Sequence, residues 1–165
     1  MARITLRNSK SLEDFKKPYI VTEVNTSHFG DIEKAKKMID KAKYLGADCV
    51  KFQSWSAKTL YSKTFYDENP IAKRFVQKFA LSKDQLREIS RYCNKVGIDF
   101  ASTPYSKEEV DFLVNDKSVP YIKIASMDLN NYGFLSYAAS SGLPIVLSTG
   151  MSEMKDIEKA VEIFR

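Results

Sequence analysis

Two lysines stand inside short segments that are otherwise apolar and typical of buried strands. Lys51 interrupts the segment DCVKFQS, and Lys123 interrupts the segment PYIKIAS. Because a charged side chain is rarely buried without a partner, this shared feature predicts a shared purpose, in which two ammonium groups bind one anionic ligand. A structural alternative is that each lysine is paired with a buried carboxylate, such as Glu23 or Asp99.

Hydroxyl groups follow the predicted strands and could complete an anion site. They belong to Thr103, Ser126, Ser148 and Thr149. Beside two ammonium groups, these donors would suit a phosphate or a carboxylate, while Glu23 would pair with a lysine or handle protons. His28 is the one histidine of the chain. It is interpreted as a loop or core residue, because a catalytic metal normally takes about three protein ligands.

The elements that would position these residues alternate between strand and helix. Strands are predicted at 19–24, 47–53, 98–103, 120–126 and 143–150, and helices at 30–46, 82–97, 106–116, 131–142 and 152–164. Strict alternation predicts a parallel sheet covered by helices, either a doubly wound open sheet or a TIM-type (β/α)8 barrel. The chain has no GxGxxG or GxxxxGK[ST] loop, which counts against a nucleotide-binding open sheet. Helix N-caps are predicted at Asp31, Ser82 and Ser152.

The period of two in a strand divides the side chains between two faces. Gln53 shares the face of Lys51, whereas Val50 and Phe52 take the other. Each predicted strand thus has an apolar face suited to outer helices and a second face that becomes polar toward its carboxyl end. In a barrel the second face lines the interior, and catalytic groups sit at the carboxyl ends of the strands. Lys51 and Lys123 would then converge there.

Two segments lie outside this alternation. Residues 1–17 contain one short predicted strand, ITLRN, and a connector, and we separate them from a partial barrel domain at 18–165. Residues 54–80 are rich in aromatic side chains and are predicted to be an irregular insertion or lid. Trp55 is expected to pack inside this insertion.

Composition restricts the class of protein. The 165 residues are 44% hydrophobic, which is typical of one globular domain. Without a signal peptide or an apolar run of roughly 20 residues, a cytoplasmic protein is expected. The net charge of +5 is spread along the chain without a basic block, so neither nucleic acid nor membrane is expected as a partner. Cys49 and Cys93 form no CxxC motif and are expected to be buried thiols.

Five motifs resemble, in order and spacing, those of the sialic acid synthase family, also called N-acetylneuraminate synthases. They are YIVTEVNTSHFG, ADCVKFQSW, FASTPYS, YIKIASMDLNN and GLPIVLSTGMS, and the resemblance extends over nearly all of the chain from Pro18 onward. It implies a TIM barrel, of which this chain supplies about five of eight βα units. The family's metal-ligating histidines and its C-terminal antifreeze-like domain would lie beyond Arg165, so the chain is expected to be truncated and inactive unless it pairs with another chain.

The resemblance also implies a reaction and its residues. The family condenses phosphoenolpyruvate with an N-acetylated amino sugar, such as N-acetylmannosamine, to give a sialic acid or a related nonulosonate and phosphate. The substrate-binding residues it implies are Lys51, Gln53, Thr103, Lys123, Ser126 and Ser148. The lysines would hold phosphoenolpyruvate, the hydroxyls its phosphate oxygens, and Gln53 the sugar. Glu23 and Asp128 would be proton-handling or orienting groups at the reacting centre.

The same resemblance implies a divalent metal, manganese or magnesium, with ligands mostly outside this chain, and a homodimer of the full-length protein. Asn25 and Ser27 replace the family's usual glycine and asparagine, and Asp128 replaces a glutamate, so precursors of legionaminic or pseudaminic acid fit as acceptors equally well. Two alternatives stay open. One is a phosphoenolpyruvate-dependent synthase of the octulosonate or heptulosonate phosphate type, and the other is an inactive half-barrel that only binds.

Overall fold

A computed structural model of the chain describes residues 3–165. The strands are β1 (Arg3–Thr5), β2 (Ser11–Glu13), β3 (Val21–Glu23), β4 (Cys49–Ser54), β5 (Asp99–Pro104), β6 (Ile122–Ile124) and β7 (Ile145–Leu147). The helices are α1 (Ile32–Tyr44), α2 (Lys63–Glu68), α3 (Pro70–Phe79), α4 (Lys83–Val96), α5 (Lys107–Asn115), α6 (Tyr132–Ala139) and α7 (Met154–Glu162). Within residues 3–165, every helix is too short or too polar to cross a bilayer.

The strands after the N-terminal hairpin form a curved parallel wall. β3, β4 and β5 are joined by parallel ladders, β6 and β7 by another, and β5 lies beside β6. Each of these five strands is followed by at least one helix. This confirms the predicted fold class, a TIM-barrel type of which the chain contributes five strand–helix units.

The main hydrophobic core lies between this wall and the helices. Val50, Phe52, Phe100, Ile122 and Ile124 all point into it and are almost fully buried. The four on β4 and β6 alternate with the lysines of those strands, so the period of two in the sequence correctly separates the outer face from the inner one.

A smaller core lies on the inner face, at the end of the wall where the strands begin. There Leu6 packs against Cys49, Ala101 and Tyr121. Leu6 belongs to the turn between β1 and β2, an antiparallel hairpin that covers this end of the wall. The sequence predicts one strand in this region, and the structure has two. β2 was not recognised in the sequence because it is only three residues long and is defined by its pairing with β1.

The insertion after β4 is more regular than predicted. It contains α2 and α3, which are separated by Asn69 alone, with Pro70 as the first residue of α3. The prediction of an irregular segment was wrong. The two helices were not recognised in the sequence because α2 is short and Pro70 interrupts the helical periodicity. The indole Nε1 of Trp55 donates to the carbonyl of Val76 and so attaches α3 to the end of β4. Trp55 is buried, as expected.

Most predicted helix starts are correct. Asp31 caps α1, and Ser82 forms a capping box with Gln85. The prediction of Ser152 as a cap was wrong, because Glu153 caps α7 in a box with Asp156. The hydroxyl of Ser152 instead donates to a carbonyl two residues earlier.

Candidate active site

Lys51 is a buried cation at the inner face of β4. Its residue is 8% exposed, and its Nζ donates to the Thr103 hydroxyl at 3.2 Å. The same ammonium group forms an ion pair with Glu23, which lies directly opposite on β3. The parallel register places Glu23 opposite Lys51, and the Lys51 side chain reaches Thr103, two residues beyond its own partner on β5, so an acid, a cation and a hydroxyl lie together.

Lys123 lies on the same side of the wall. Its Nζ donates to the Ser148 hydroxyl at 2.5 Å and to the carbonyl of Ile124. The pKa of Lys123 is lowered to about 8 by burial and, to a smaller extent, by the neighbouring Lys51 ammonium group, with Glu23 partly offsetting both. The two lysines are thus close enough to repel each other.

Both lysines reach one cavity of about 480 Å³. Glu23, Tyr121 and Val146 line it beside them, and residues of the hairpin close its far end. The alternative that each lysine is paired with a carboxylate holds in part, because Lys51 is paired with Glu23. That partner lines the same cavity, so the pairing does not remove the lysine from it.

Asp99 does not contact Lys51 or Lys123. Its carboxylate accepts hydrogen bonds from Lys10, Tyr19 and Asn8 near the hairpin. The sequence offered it as a partner for a buried lysine, but it lies at the start of β5, at the opposite end from the carboxyl termini of the strands. It fixes the hairpin to the wall.

Ser126 and Asp128 lie in a 3₁₀ turn directly after β6. Ser126 faces the loop after β7, since a Cβ on Gly150 would meet its side chain at 3.6 Å. One carboxylate oxygen of Asp128 accepts from Asn131, and the other is buried without a hydrogen-bond partner among the described residues. Burial raises the pKa of Asp128. The turn therefore carries a poorly solvated carboxyl group at the carboxyl end of β6.

Tyr105 lies near both Asp128 and Glu23, and it was not predicted from the sequence as a site residue. Its pKa is raised to about 12, mainly by burial and to a smaller extent by the negative charges of Asp128 and Glu23. Both acids therefore lie within electrostatic reach of one phenol. Its position directly after β5, at a strand's carboxyl end, was the available signal.

Gln53 lies one step beyond Lys51 on the same face of β4, opposite Thr103. It lines a second cavity, of about 250 Å³, which also takes side chains from the insertion. The predicted site residues are thus divided: the lysines and Glu23 share the first cavity, and Gln53 belongs to the second.

The described residues do not complete a metal centre. Within residues 3–165, no group of three or more His, Cys, Asp or Glu side chains could hold an ion. His28 is buried, accepts a hydrogen bond at Nδ1 from the Gly30 amide and packs near the Phe52 ring. Burial also lowers its pKa. It is a structural residue of the loop after β3, and no metal-dependent step follows from these residues.

The arrangement suits a small, strongly negative ligand with both carboxylate and phosphate groups. Two ammonium groups and the hydroxyls of Thr103 and Ser148 already lie together, so binding would need little reorganisation. Glu23 fixes Lys51 and leaves the cavity accessible, since 45% of its side chain is exposed. Asp128 supplies an acid on the side of the second cavity.

Comparison with known proteins gives a consistent result. A profile of the NeuB family matches residues 38–165. The N-acetylneuraminate-9-phosphate synthase of Drosophila melanogaster is 35% identical over 155 residues, covering 89% of this chain and 41% of that protein. The N,N'-diacetyllegionaminic acid synthase of Legionella pneumophila is 34% identical over 153 residues, covering 87% of this chain and 43% of that protein.

A solved structure agrees with these relatives. The N-acetylneuraminic acid synthetase of Leptospira borgpetersenii superimposes with a TM-score of 0.88 at 31% identity, over 99% of this chain and 55% of that one. This chain therefore spans about two fifths of the length of the curated relatives named above and about half of the solved one.

Proposed function

This chain belongs to the NeuB family, and we propose that it carries the phosphoenolpyruvate side of a synthase that joins this three-carbon acid to an N-acylated amino sugar. The product would be a sialic acid or a related nonulosonate, with release of phosphate. The observation that carries the proposal is the shared cavity of Lys51 and Lys123, with hydroxyl groups beside each ammonium group. The names of the relatives, synthases of N-acetylneuraminate 9-phosphate and of legionaminic acid, support it.

In this proposal the lysines position the donor. Lys51 and Lys123 bind the carboxylate and the phosphate of phosphoenolpyruvate, and Thr103, Ser126 and Ser148 donate hydrogen bonds to phosphate oxygens. The clamp holds the enol carbon toward the carboxyl ends of the strands, where Gln53 contacts the sugar. Fixing two reactants in this way lowers the entropic part of the barrier.

The covalent steps then follow from the substrates. The enol carbon attacks the aldehyde carbon of the sugar, and the electron pair of the carbonyl moves to the aldehyde oxygen, which takes up a proton. Water adds to the neighbouring carbon of the former enol, and phosphate leaves with the C–O electron pair. Asp128, whose pKa is raised by burial, handles the proton on the acceptor side, and Glu23 orients Lys51.

Further features of the complete enzyme come from the family resemblance alone. We propose a manganese or magnesium ion with its ligands mostly outside this chain, a homodimer of the full-length protein, and action in the cytoplasm. The metal would activate the sugar aldehyde as a Lewis acid.

Isothermal calorimetry with phosphoenolpyruvate tests the anion clamp. Lys123→Ala should weaken binding at least tenfold, since one of two ammonium groups that hold a multiply charged ligand is lost, and a tenfold change is ~1.4 kcal/mol. Lys41→Ala removes the same charge from the exposed end of α1 and should bind like the wild type. Circular dichroism checks that each variant is folded. Equal affinity in Lys123→Ala and in the wild type would refute the clamp.

A further inference from the structure

Lys123 differs from Lys51 in the kind of partner that holds its side chain. The Lys51 ammonium group is paired with the Glu23 carboxylate, whereas Nζ of Lys123 donates to the Ser148 hydroxyl and to the Ile124 carbonyl. Within residues 3–165, no carboxylate forms an ion pair with Lys123. Both of its acceptors are uncharged, so neither provides a full negative charge that would keep the amine protonated.

The surroundings of Lys123 favour the neutral amine. Val146 lies directly opposite it on β7 and lines the same cavity with an apolar side chain. Burial is the main cause of the lowered pKa of Lys123, and the like charge of Lys51 adds to it. With a pKa of about 8, its neutral fraction near neutral pH is on the order of a hundredfold larger than that of a lysine with a pKa of ~10.4. The other charged side chains that line the cavity are those of Glu13, Lys16, Lys17 and Glu23.

The hydrogen bonds of Lys123 leave its nitrogen able to react. A neutral amine has two N–H groups and one lone pair, and the Ser148 and Ile124 oxygens can accept both N–H groups. The lone pair is then left for an electrophile in the cavity of about 480 Å³. Lys51 lines the same cavity and can bind a carboxylate. The pair of lysines therefore suits a molecule in which a carbonyl carbon is bonded to a carboxylate.

We propose that Lys123 is a nucleophilic site that forms a reversible imine with the ketone of a small 2-oxo acid, such as pyruvate, whose carboxylate pairs with Lys51. This inference does not depend on the proposed function, because it needs neither the amino sugar nor release of phosphate. A 2-oxo acid bound in this way would occupy the cavity and exclude other anions from it. Since an imine is hydrolysed by the reverse of its formation, the block would be lifted when the concentration of the 2-oxo acid falls.

The bonds and protons of this step balance without an oxidant or a reductant. The Lys123 nitrogen attacks the keto carbon, the electron pair of the carbonyl moves to its oxygen, and a proton passes from the nitrogen to that oxygen. The hydroxyl of the resulting carbinolamine then takes up a second proton and leaves as water, and the nitrogen lone pair forms the C=N bond. Glu23, which lines the same cavity, can carry the proton that the ammonium group lost at the start. Overall, one ammonium group and one ketone give one iminium ion and one water.

Reductive trapping of the wild-type chain tests the imine directly. The protein is incubated with pyruvate and cyanoborohydride, which converts an imine into a stable secondary amine, and mass spectrometry of its peptides locates the label. We expect Lys123 to be modified at least tenfold faster than Lys41, which lies in the last turn of α1, within the same sample. Saturating phosphoenolpyruvate should slow the labelling of Lys123. Dihydroxyacetone, a ketone without a carboxylate, should not show the preference for Lys123 over Lys41.

Two matched variants complete the test. Lys123→Arg keeps the positive charge and removes the nucleophilic amine, so the fast phase of labelling should disappear, whereas Lys41→Arg should retain it. Circular dichroism checks that both variants are folded. Labelling of Lys51 or Lys41 as fast as that of Lys123, or an equal preference for Lys123 with dihydroxyacetone, would overturn the inference. Selective labelling that phosphoenolpyruvate fails to slow would support the imine and count against the anion clamp, so the two proposals can fail separately.

Discussion

Glu23 and Lys51 occupy opposed positions on neighbouring parallel strands, and their side chains form an ion pair at the mouth of the cavity. The two partners differ in accessibility, since the lysine side chain is 10% exposed and the glutamate side chain 45%. A ligand that replaces the carboxylate can therefore keep the buried cation neutralised. In the absence of a ligand, Glu23 neutralises the charge of the Lys51 ammonium group.

Glu23→Gln should lower the stability of the free protein and tighten phosphoenolpyruvate binding. The substitution leaves a buried ammonium group without its anion, which we expect to cost about 1–3 kcal/mol because Glu23 is itself half exposed. A bound ligand should restore most of that loss. Urea unfolding with and without phosphoenolpyruvate measures both effects. Glu33→Gln, which breaks an exposed pair with Lys36, should change stability by less than about 0.5 kcal/mol. Weaker ligand binding by Glu23→Gln would contradict the competition between ligand and glutamate.

As pH rises, the titration of Lys123 should weaken phosphoenolpyruvate binding and increase the stability of the protein. Its pKa in the folded protein is about 8, whereas an unfolded lysine titrates near ~10.4. Between these values the unfolded chain holds a proton that the folded chain has released, so the Lys123 contribution to stability rises with pH. Anion binding needs the proton, so affinity falls over the same window. Differences between the wild type and Lys123→Met, from calorimetry and urea unfolding at pH 7 to 10, isolate both slopes. If affinity and stability changed with pH in the same way in the wild type and in Lys123→Met, the titration of Lys123 would be ruled out as their cause.

The wall and the lysine face were predictable because they follow from local periodicity. Alternation in β4 and β6 assigns Lys51 and Lys123 to the face opposite Phe52 and Ile124, and strict strand–helix order makes the sheet parallel. Parallel register then brings the carboxyl ends to one edge. The prediction of two lysines on one cavity needed no information beyond this.

Other features depend on contacts that are distant in sequence. β2 exists through its pairing with β1, and two of the donors to Asp99, Asn8 and Lys10, are brought to it by the hairpin turn. α3 is held by a bond from Trp55 and by its approach to Gly30, across roughly twenty and fifty residues respectively. No pattern within a short window encodes such contacts, which is why the insertion at residues 54–80 was predicted but its two helices and the second cavity were not.

Gly30→Ala should destabilise the insertion specifically. The glycine has φ of +77°, and a Cβ there would lie 2.3 Å from the carbonyl oxygen of Lys78, so the last turn of α3 must shift. Gly46→Ala is the matched control, with φ of +86° and open space around the added atom. The control should cost about 1 kcal/mol through backbone conformation alone, and Gly30→Ala clearly more. Limited proteolysis within residues 60–80 should accelerate in Gly30→Ala and not in the control. Equal unfolding energies and cleavage rates in the two variants would show that α3 does not depend on this contact.

Leu6→Ala should expose Cys49 to thiol reagents while Cys93 stays protected. Burial raises the pKa of both thiols, that of Cys49 to about 12, so neither should react with a maleimide at pH 8 in the folded protein. Leu6, in the turn of the hairpin, is buried against Cys49, whereas Cys93 belongs to α4 and faces the main core. Truncating Leu6 should cost about 2–3 kcal/mol and loosen the hairpin, because the cavity it leaves lies between the hairpin and the wall.

Mass spectrometry of the labelled peptides distinguishes the two cysteines within one sample. The wild type in urea, where both thiols react, supplies the control for complete labelling. Faster modification of Cys49 alone indicates that the hairpin opens as a unit while the wall stays folded. Equal acceleration at Cys93 would mean that Leu6 stabilises the whole domain, and the hairpin would then be an integral part of the barrel wall. Since the cavity of Lys51 and Lys123 is closed at its far end by this hairpin, the selective result also predicts weaker phosphoenolpyruvate binding in Leu6→Ala.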